Sequence, residues 1–287
     1  MTRAKANKQT KGKQAKGKQA KNKPFLRGLP WFAWLLIALA IAGIVAFVRI
    51  YHLGQPAPGN MGTPRAAIVD QLYSLQPNPV FIDQVTQELE DYGFEVDLYQ
   101  DDEVTVDLYR ELPGYGYKLI VFRAHSGLLG EDEKVHVQTT LFTNEPYSGL
   151  KYSREQLDDR LVMASVGEGY PMVFGIPPKF VTKSMKGEFD DTVIIMMGCS
   201  GIFLPDLAKA FVDKGASAYF AWNATVNLDY VDKATPYLIG QLYSEQLTIK
   251  EAVDSTMDVI GPDPRYKAVL KYYPSGSGDK TLGELIK

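Results

Sequence analysis

Cysteine occurs once in this chain of 287 residues, at Cys199, in the setting expected of a nucleophile. The apolar run Val193-Ile-Ile-Met-Met197 leads through Gly198 to the thiol, and Ser200-Gly201 follow. Upstream, Leu119-Ile-Val-Phe122 leads through Arg123-Ala124 to His125, again followed by Ser-Gly. Short apolar runs bounded by small residues read as buried strands. Two such strands running in parallel would present a thiol and an imidazole at one end of a sheet, where ligands bind in open α/β folds. That pair can do covalent catalysis, the thiolate attacking and the imidazole moving a proton. The alternative for Cys199 is a buried, inert thiol. Its place after the strand, and the freedom that Gly198 and Gly201 give the backbone to approach a ligand, favour a reactive one. His125 alone could be a hydrogen-bonded loop histidine; its pairing with Cys199 is what gives it a role.

Two more residues end apolar strands. Asp70 closes Ala66-Ala-Ile-Val, and Trp222 closes Ser217-Ala-Tyr-Phe-Ala. Asp70 either caps its own turn or places a charge in a substrate pocket, where a basic side chain would pair with it. Trp222 either lines a neighbouring subsite or packs in the core. The histidines His52, His125 and His136 and the single cysteine have no metal-ligand spacing, so no metal and no cofactor are expected.

These residues need elements to hold them. Alternation of strands and helices begins at Arg65. A strand at 66–70 is followed by a helix signalled by Asn78-Pro79, with Phe81, Val85, Leu89 and Tyr92 at helical spacing, and stopped at Gly93. A strand at 94–99, a helix at 105–112 and a strand at 119–122 complete a βαβαβ order, which implies a parallel sheet with right-handed crossovers. Residues 128–191 break the alternation. Short strands at 134–142, 161–165 and 172–176 make this a β-rich insertion, expected on the edge of the main sheet. Parallel order resumes at 193–197, with a helix at 204–214 ended by Gly215 and a strand at 217–222. Helices near 232–246 and 248–260 follow, and a last strand is expected at 268–272.

The first 64 residues belong to a different regime. Residues 1–29 hold ten Lys or Arg and no acid, with a tandem Lys-Gly-Lys-Gln-Ala at 11–15 and 16–20. This composition is that of a disordered tail. Residues 30–50 contain Pro30 to Val48 without a charge, long enough at about 1.5 Å per residue to cross a ~30 Å hydrocarbon layer. Trp31 and Trp34 lie at one end, and Arg49, Tyr51 and His52 at the other, as interfacial anchors should. A cleaved signal peptide would have a shorter apolar stretch, so an uncleaved single-pass anchor is expected. The basic tail sets its N-terminus on the cytoplasmic side and the folded part outside the membrane. Residues 51–64 are a Pro/Gly linker, and 65–287 the folded domain. Beyond residue 29 the chain carries 21 basic against 34 acidic residues, a balance that excludes nucleic acid as a partner of the folded domain.

The two strand-end motifs, Phe-Arg-Ala-His-Ser-Gly and Met-Met-Gly-Cys-Ser-Gly, resemble those of the caspase-like cysteine peptidases. Phe211-Val-Asp-Lys-Gly-Ala-Ser-Ala-Tyr-Phe-Ala-Trp222 is similar to the CHAT and gingipain pattern of helix, Gly-Ala and strand after the cysteine. The resemblance spans about residues 65–260. The caspase signature Gln-Ala-Cys-x-Gly reads Met-Gly-Cys-Ser-Gly here, which excludes a true caspase. The resemblance implies a three-layer α/β sandwich with a mainly parallel sheet, and an endopeptidase acting on peptide or protein substrates. Cys199 would be its nucleophile and His125 the proton donor to the leaving amine. Backbone N–H groups of Cys199 and Ser126 would form the oxyanion hole. Metacaspase-like enzymes carry an acid at the end of the first strand, the place of Asp70, which implies cleavage after a basic residue. Two other readings stay open: an inactive domain of the same fold that binds a peptide or partner at the membrane, and an unrelated doubly wound thiol hydrolase or transferase.

Overall fold

A computed structural model describes residues 62–132, 135–244 and 246–286. The expected tail at 1–29, the spanning segment at 30–50 and the linker up to residue 61 lie outside the described residues. Among the described residues no helix is long and apolar enough to cross a membrane.

The elements, in chain order, are β1 (Arg65–Asp70), α1 (Pro79–Asp91), β2 (Glu95–Gln100), α2 (Val106–Glu111), β3 (Tyr117–Arg123), β4 (Ser126–Asp132), β5 (Val135–Pro146), α3 (Ser153–Leu157), β6 (Val162–Ala164) and β7 (Val173–Ile176). They continue as α4 (Pro178–Lys183), β8 (Thr192–Met196), α5 (Asp206–Asp213), β9 (Ala216–Trp222), α6 (Leu228–Tyr243), α7 (Ile249–Val259), β10 (Leu270–Tyr273) and α8 (Leu282–Leu285). Helix starts follow local chemistry. The Asn78 side chain accepts the Phe81 N–H at 3.1 Å and Pro79 opens α1, since proline's missing N–H costs nothing there. Thr105 caps α2 in the same way through the Leu108 N–H at 3.1 Å.

The main sheet has the order β10-β9-β8-β3-β1-β2, with only β10 antiparallel. Its central strands are apolar on both faces because helices cover both. Alternate residues divide between two cores. Ala66, Ile68, Leu119, Val121, Ile195 and Phe220 face α1, α6, α7 and α8. Ala67, Val69, Ile120, Phe122, Ile194 and Tyr219 face α2, α4, α5 and part of the insertion. The fold is mixed α/β around a mainly parallel sheet, as the alternation of elements implies.

The insertion departs from expectation. Its strands form a separate, curled antiparallel sheet of order β4-β5-β7-β6 that is paired to neither edge of the main sheet. It grows from β3, an interior strand, with only Ala124 and His125 before β4 begins. A strand in the middle of a parallel sheet can release its chain only at its end, so the second sheet starts at the strand ends rather than at an edge.

Candidate active site

β3 and β8 are neighbours, and their register pairs Leu119 with Val193 and Phe122 with Met196. Three residues beyond each of those last partners come His125 and Cys199. The long sequence gap between the two residues is the register offset of the two strands, and they leave the sheet side by side. Parallel strands lie about 4.8 Å apart, so the two loops are forced together. Both residues line one cleft of about 530 Å³, whose walls include Ser126, Gly198, Val226 and Asp229.

The loops touch directly. The Ser126 hydroxyl donates to the Cys199 carbonyl at 2.5 Å. A Cβ on Gly198 would lie 2.5 Å from both the Ala124 carbonyl oxygen and the Met196 methyl, so no other residue fits where the loops cross. After Cys199, Ser200 adopts a left-handed backbone with φ 54°, a conformation costing roughly 1–2 kcal/mol for a residue with a Cβ. Its N–H bonds the Ala224 carbonyl at 2.8 Å, which holds the turn that lifts Cys199 off the sheet.

The Cys199 thiol is half-buried and donates to the Val226 carbonyl at 3.6 Å. His125 is half-buried, its ring centroid 6.2 Å from that of Phe142. Burial holds its imidazole below the ordinary value of 6.5, favouring the neutral ring. Its backbone is fixed by the Gln71 side chain, which accepts the His125 N–H at 2.9 Å and donates to Asn144 at 2.6 Å. No hydrogen bond joins imidazole to thiol, and the ring bonds no other protein group among the described residues.

Two backbone N–H groups beside the cleft have no acceptor in either sheet. The Cys199 N–H has no protein acceptor among the described residues. The Phe142 N–H bonds the His125 carbonyl at 3.0 Å, and the register then pairs Ser126 with Leu141. Antiparallel pairs alternate between bonded and non-bonded, so the Ser126 N–H turns away from β5.

Asp70 lies elsewhere. It pairs with Arg123 across β1 and β3, and its carboxylate accepts Arg123 Nη1 at 2.9 Å and the Leu72 N–H at 3.2 Å. It is fully buried and outside the cleft walls. The turn-capping reading therefore holds, with an ion pair added that the sequence did not announce. Burial pushes its carboxyl above the usual range despite the arginine. Arg123 also bonds Asp232 of α6, through Nε at 3.1 Å and Nη2 at 3.0 Å, and the Gln76 carbonyl at 2.9 Å. Trp222 likewise does not line the cleft. It is 2 % exposed, belongs to the core under α6, and packs edge-on against Tyr230 with centroids 5.4 Å apart.

Sequence reasoning missed Gln71, Asn144, Arg123, Val226, Asp229 and Asp232. Gln71 and Arg123 carried a usable signal, since each adjoins a strand end already singled out. Asp229 carried none. It stands in the first turn of α6 and, among the described residues, is the single Asp, Glu, Lys or Arg in the cleft walls. It is exposed and forms no ion pair or hydrogen bond among the described residues. Among those residues no group of three or more His, Cys, Asp or Glu is arranged to hold a metal. The chain matches no protein-family profile and no curated protein.

Proposed function

We propose that this chain is a cysteine endopeptidase of the caspase-like type, anchored in a membrane through residues 30–50 and acting on peptide or protein substrates outside the cytoplasm. The observation that carries the reading is the register of β3 and β8, which delivers His125 and Cys199 to one cleft. In the reaction the Cys199 thiol gives its proton to the neutral His125 ring, and Sγ bonds the scissile carbonyl carbon. The oxyanion takes hydrogen bonds from the N–H groups of Cys199 and Ser126, each such donor typically contributing ~10²–10³ in rate. The C–N bond then breaks, the leaving amine takes the proton from His125, and water hydrolyses the thioester. Ring and thiol share no hydrogen bond here, and catalytic hydrogen bonds of this kind tighten on substrate binding. A preference for a basic side chain rests on Asp229 rather than on Asp70, whose carboxylate is consumed by Arg123.

The unbonded imidazole also suits the second reading, an inactive domain that binds a peptide or partner. One experiment separates the two. The full chain is treated with acyloxymethyl ketone probes carrying Arg, Lys, Asp or Asn. Labelling is expected in wild type, absent in Cys199→Ala and strongly reduced in His125→Ala. Wild type refractory to every probe overturns the peptidase.

A further inference from the structure

We infer that the curled second sheet holds a separate subsite, which takes a medium-sized aliphatic side chain of the peptide bound in the cleft. The inference rests on the proposed function for its ligand, a peptide, but not for its pocket. A hollow of about 200 Å³ lies in this sheet, walled by Leu128 and Leu129 of β4, Thr140 of β5 and Val162 to Ala164 of β6. It shares Gly127, Phe142 and Ser165 with the cleft, so an occupant of one borders an occupant of the other. Its walls carry no charge among the described residues, and its volume suits one Val, Leu, Ile or Met side chain rather than a separate small molecule.

The hollow is built rather than left over. Gly175 of β7 has no side chain because a Cβ there would lie 2.5 Å from the Thr140 methyl and 2.9 Å from a Val162 methyl. That absence lets side chains of β5 and β6 approach each other across β7. Gly127 lines both spaces, and a Cβ there would rest against the Phe142 ring at 3.6 Å. Thr140 is 3 % exposed and its hydroxyl is sealed from solvent, so what it presents to the hollow is apolar contact. The aliphatic side chain would fill the hollow by shape and apolar contact.

The test is binding, so it does not depend on turnover. Full-length Cys199→Ala is titrated by fluorescence anisotropy with dye-labelled hexapeptides carrying one Arg, in which each other position in turn is Gly, Asp or Leu. At one position Leu is expected to bind ~10-fold or more tighter than Gly, the scale of an aliphatic group filling a pocket. That gain should vanish in Ala164→Phe, which fills the hollow from β6, while the Gly peptide binds as before. Leu129→Gln, which keeps the volume but replaces an apolar wall with an amide, should shrink the gain and serves if thermal melting shows Ala164→Phe to be unfolded. No Leu gain at any position, no binding by any peptide, or a gain that survives a folded Ala164→Phe or Leu129→Gln overturns the subsite. Turnover of the same peptides by wild type reports separately: cleavage without a Leu gain removes the subsite and keeps the peptidase, and a Leu gain without cleavage does the reverse.

Discussion

The hydroxyl of Ser126 donates to the carbonyl of Cys199 at 2.5 Å, tying the loop that follows β3 to the loop that follows β8. Ser126 is 7 % exposed, so its removal would leave that carbonyl without its partner in a largely dry site. An orphaned buried acceptor costs about 1–3 kcal/mol. Ser126→Ala should lower stability by that amount in urea unfolding. It should also slow probe labelling of Cys199 under conditions where the variant is fully folded, because the loop carrying the thiol loses its tether.

The His125 ring gives a pH dependence with a definite sign. Burial lowers its folded value beneath 6.5, while the unfolded chain keeps the ordinary one. Below 6.5 the unfolded state therefore binds more protons, and stability falls as pH drops from 6.5 to the folded value, then levels off for this group. Stability of wild type minus that of His125→Gln, measured by urea unfolding from pH 7.5 to 5, should decline with acidity across that window. The acid limb of probe labelling should lie below pH 6.5, because the ring stays neutral further into acid than a solvated histidine.

Arg123 holds two carboxylates in the interior, Asp70 at 2.9 Å and Asp232 at 3.0 Å. Arg123→Met would keep much of the side-chain volume and leave both acids without a counter-charge. Removing one partner of a buried ion pair costs about 3–5 kcal/mol. A loss of this size is expected in denaturant titration, partly recovered when Asp70→Asn is added. The double variant is the sharper measurement, since recovery identifies charge rather than packing as the cause.

Asp229 is expected to select for cationic side chains in the cleft. Asp229→Asn should lower kcat/KM on an arginine peptide by ~10-fold, the scale of a partly solvated charge-assisted contact. Turnover of a peptide with a neutral residue at that position should change little. An equal loss on both peptides would remove Asp229 as the selecting group.

How far the site was legible depends on the range of the forces involved. β1, β3, β8 and β9 announced themselves as short apolar runs, because strands covered on both faces admit little else. Their ends were therefore readable, and with them His125, Cys199 and Asp70. What was not readable is where a strand-end side chain turns. Asp70 faces Arg123, and Trp222 packs beneath Tyr230; both depend on partners far away in sequence. Asp232 and Asp229 lie one turn apart on α6, one under the sheet's end and one in the cleft. Only the helix's final seat distinguishes them. Three strands of the second sheet were legible, but β4 was missed, because Ser126–Asp132 carries two adjacent leucines and no alternation. The sheet's placement was not legible either, since alternation fixes which face is apolar and not which neighbour a strand takes. Helices α3 and α4 within it were missed because each is under two turns long.

The chain around His125 is pinned on both sides. Two residues earlier, Arg123 is locked into its buried carboxylates; one residue later, Ser126 is bonded to the opposite loop; and the intervening amide is held by Gln71. No hinge remains in this stretch. The imidazole is nevertheless unbonded, so the motion left to it is rotation about its own side-chain bonds. Hops of an exposed side chain take ps–ns, and partial burial slows those of this ring. Motion at this site is accordingly expected in a rotamer and not in the backbone: relaxation-dispersion measurements on the backbone amides of residues 123–126 should be flat, while the ring exchanges between rotamers beside Phe142.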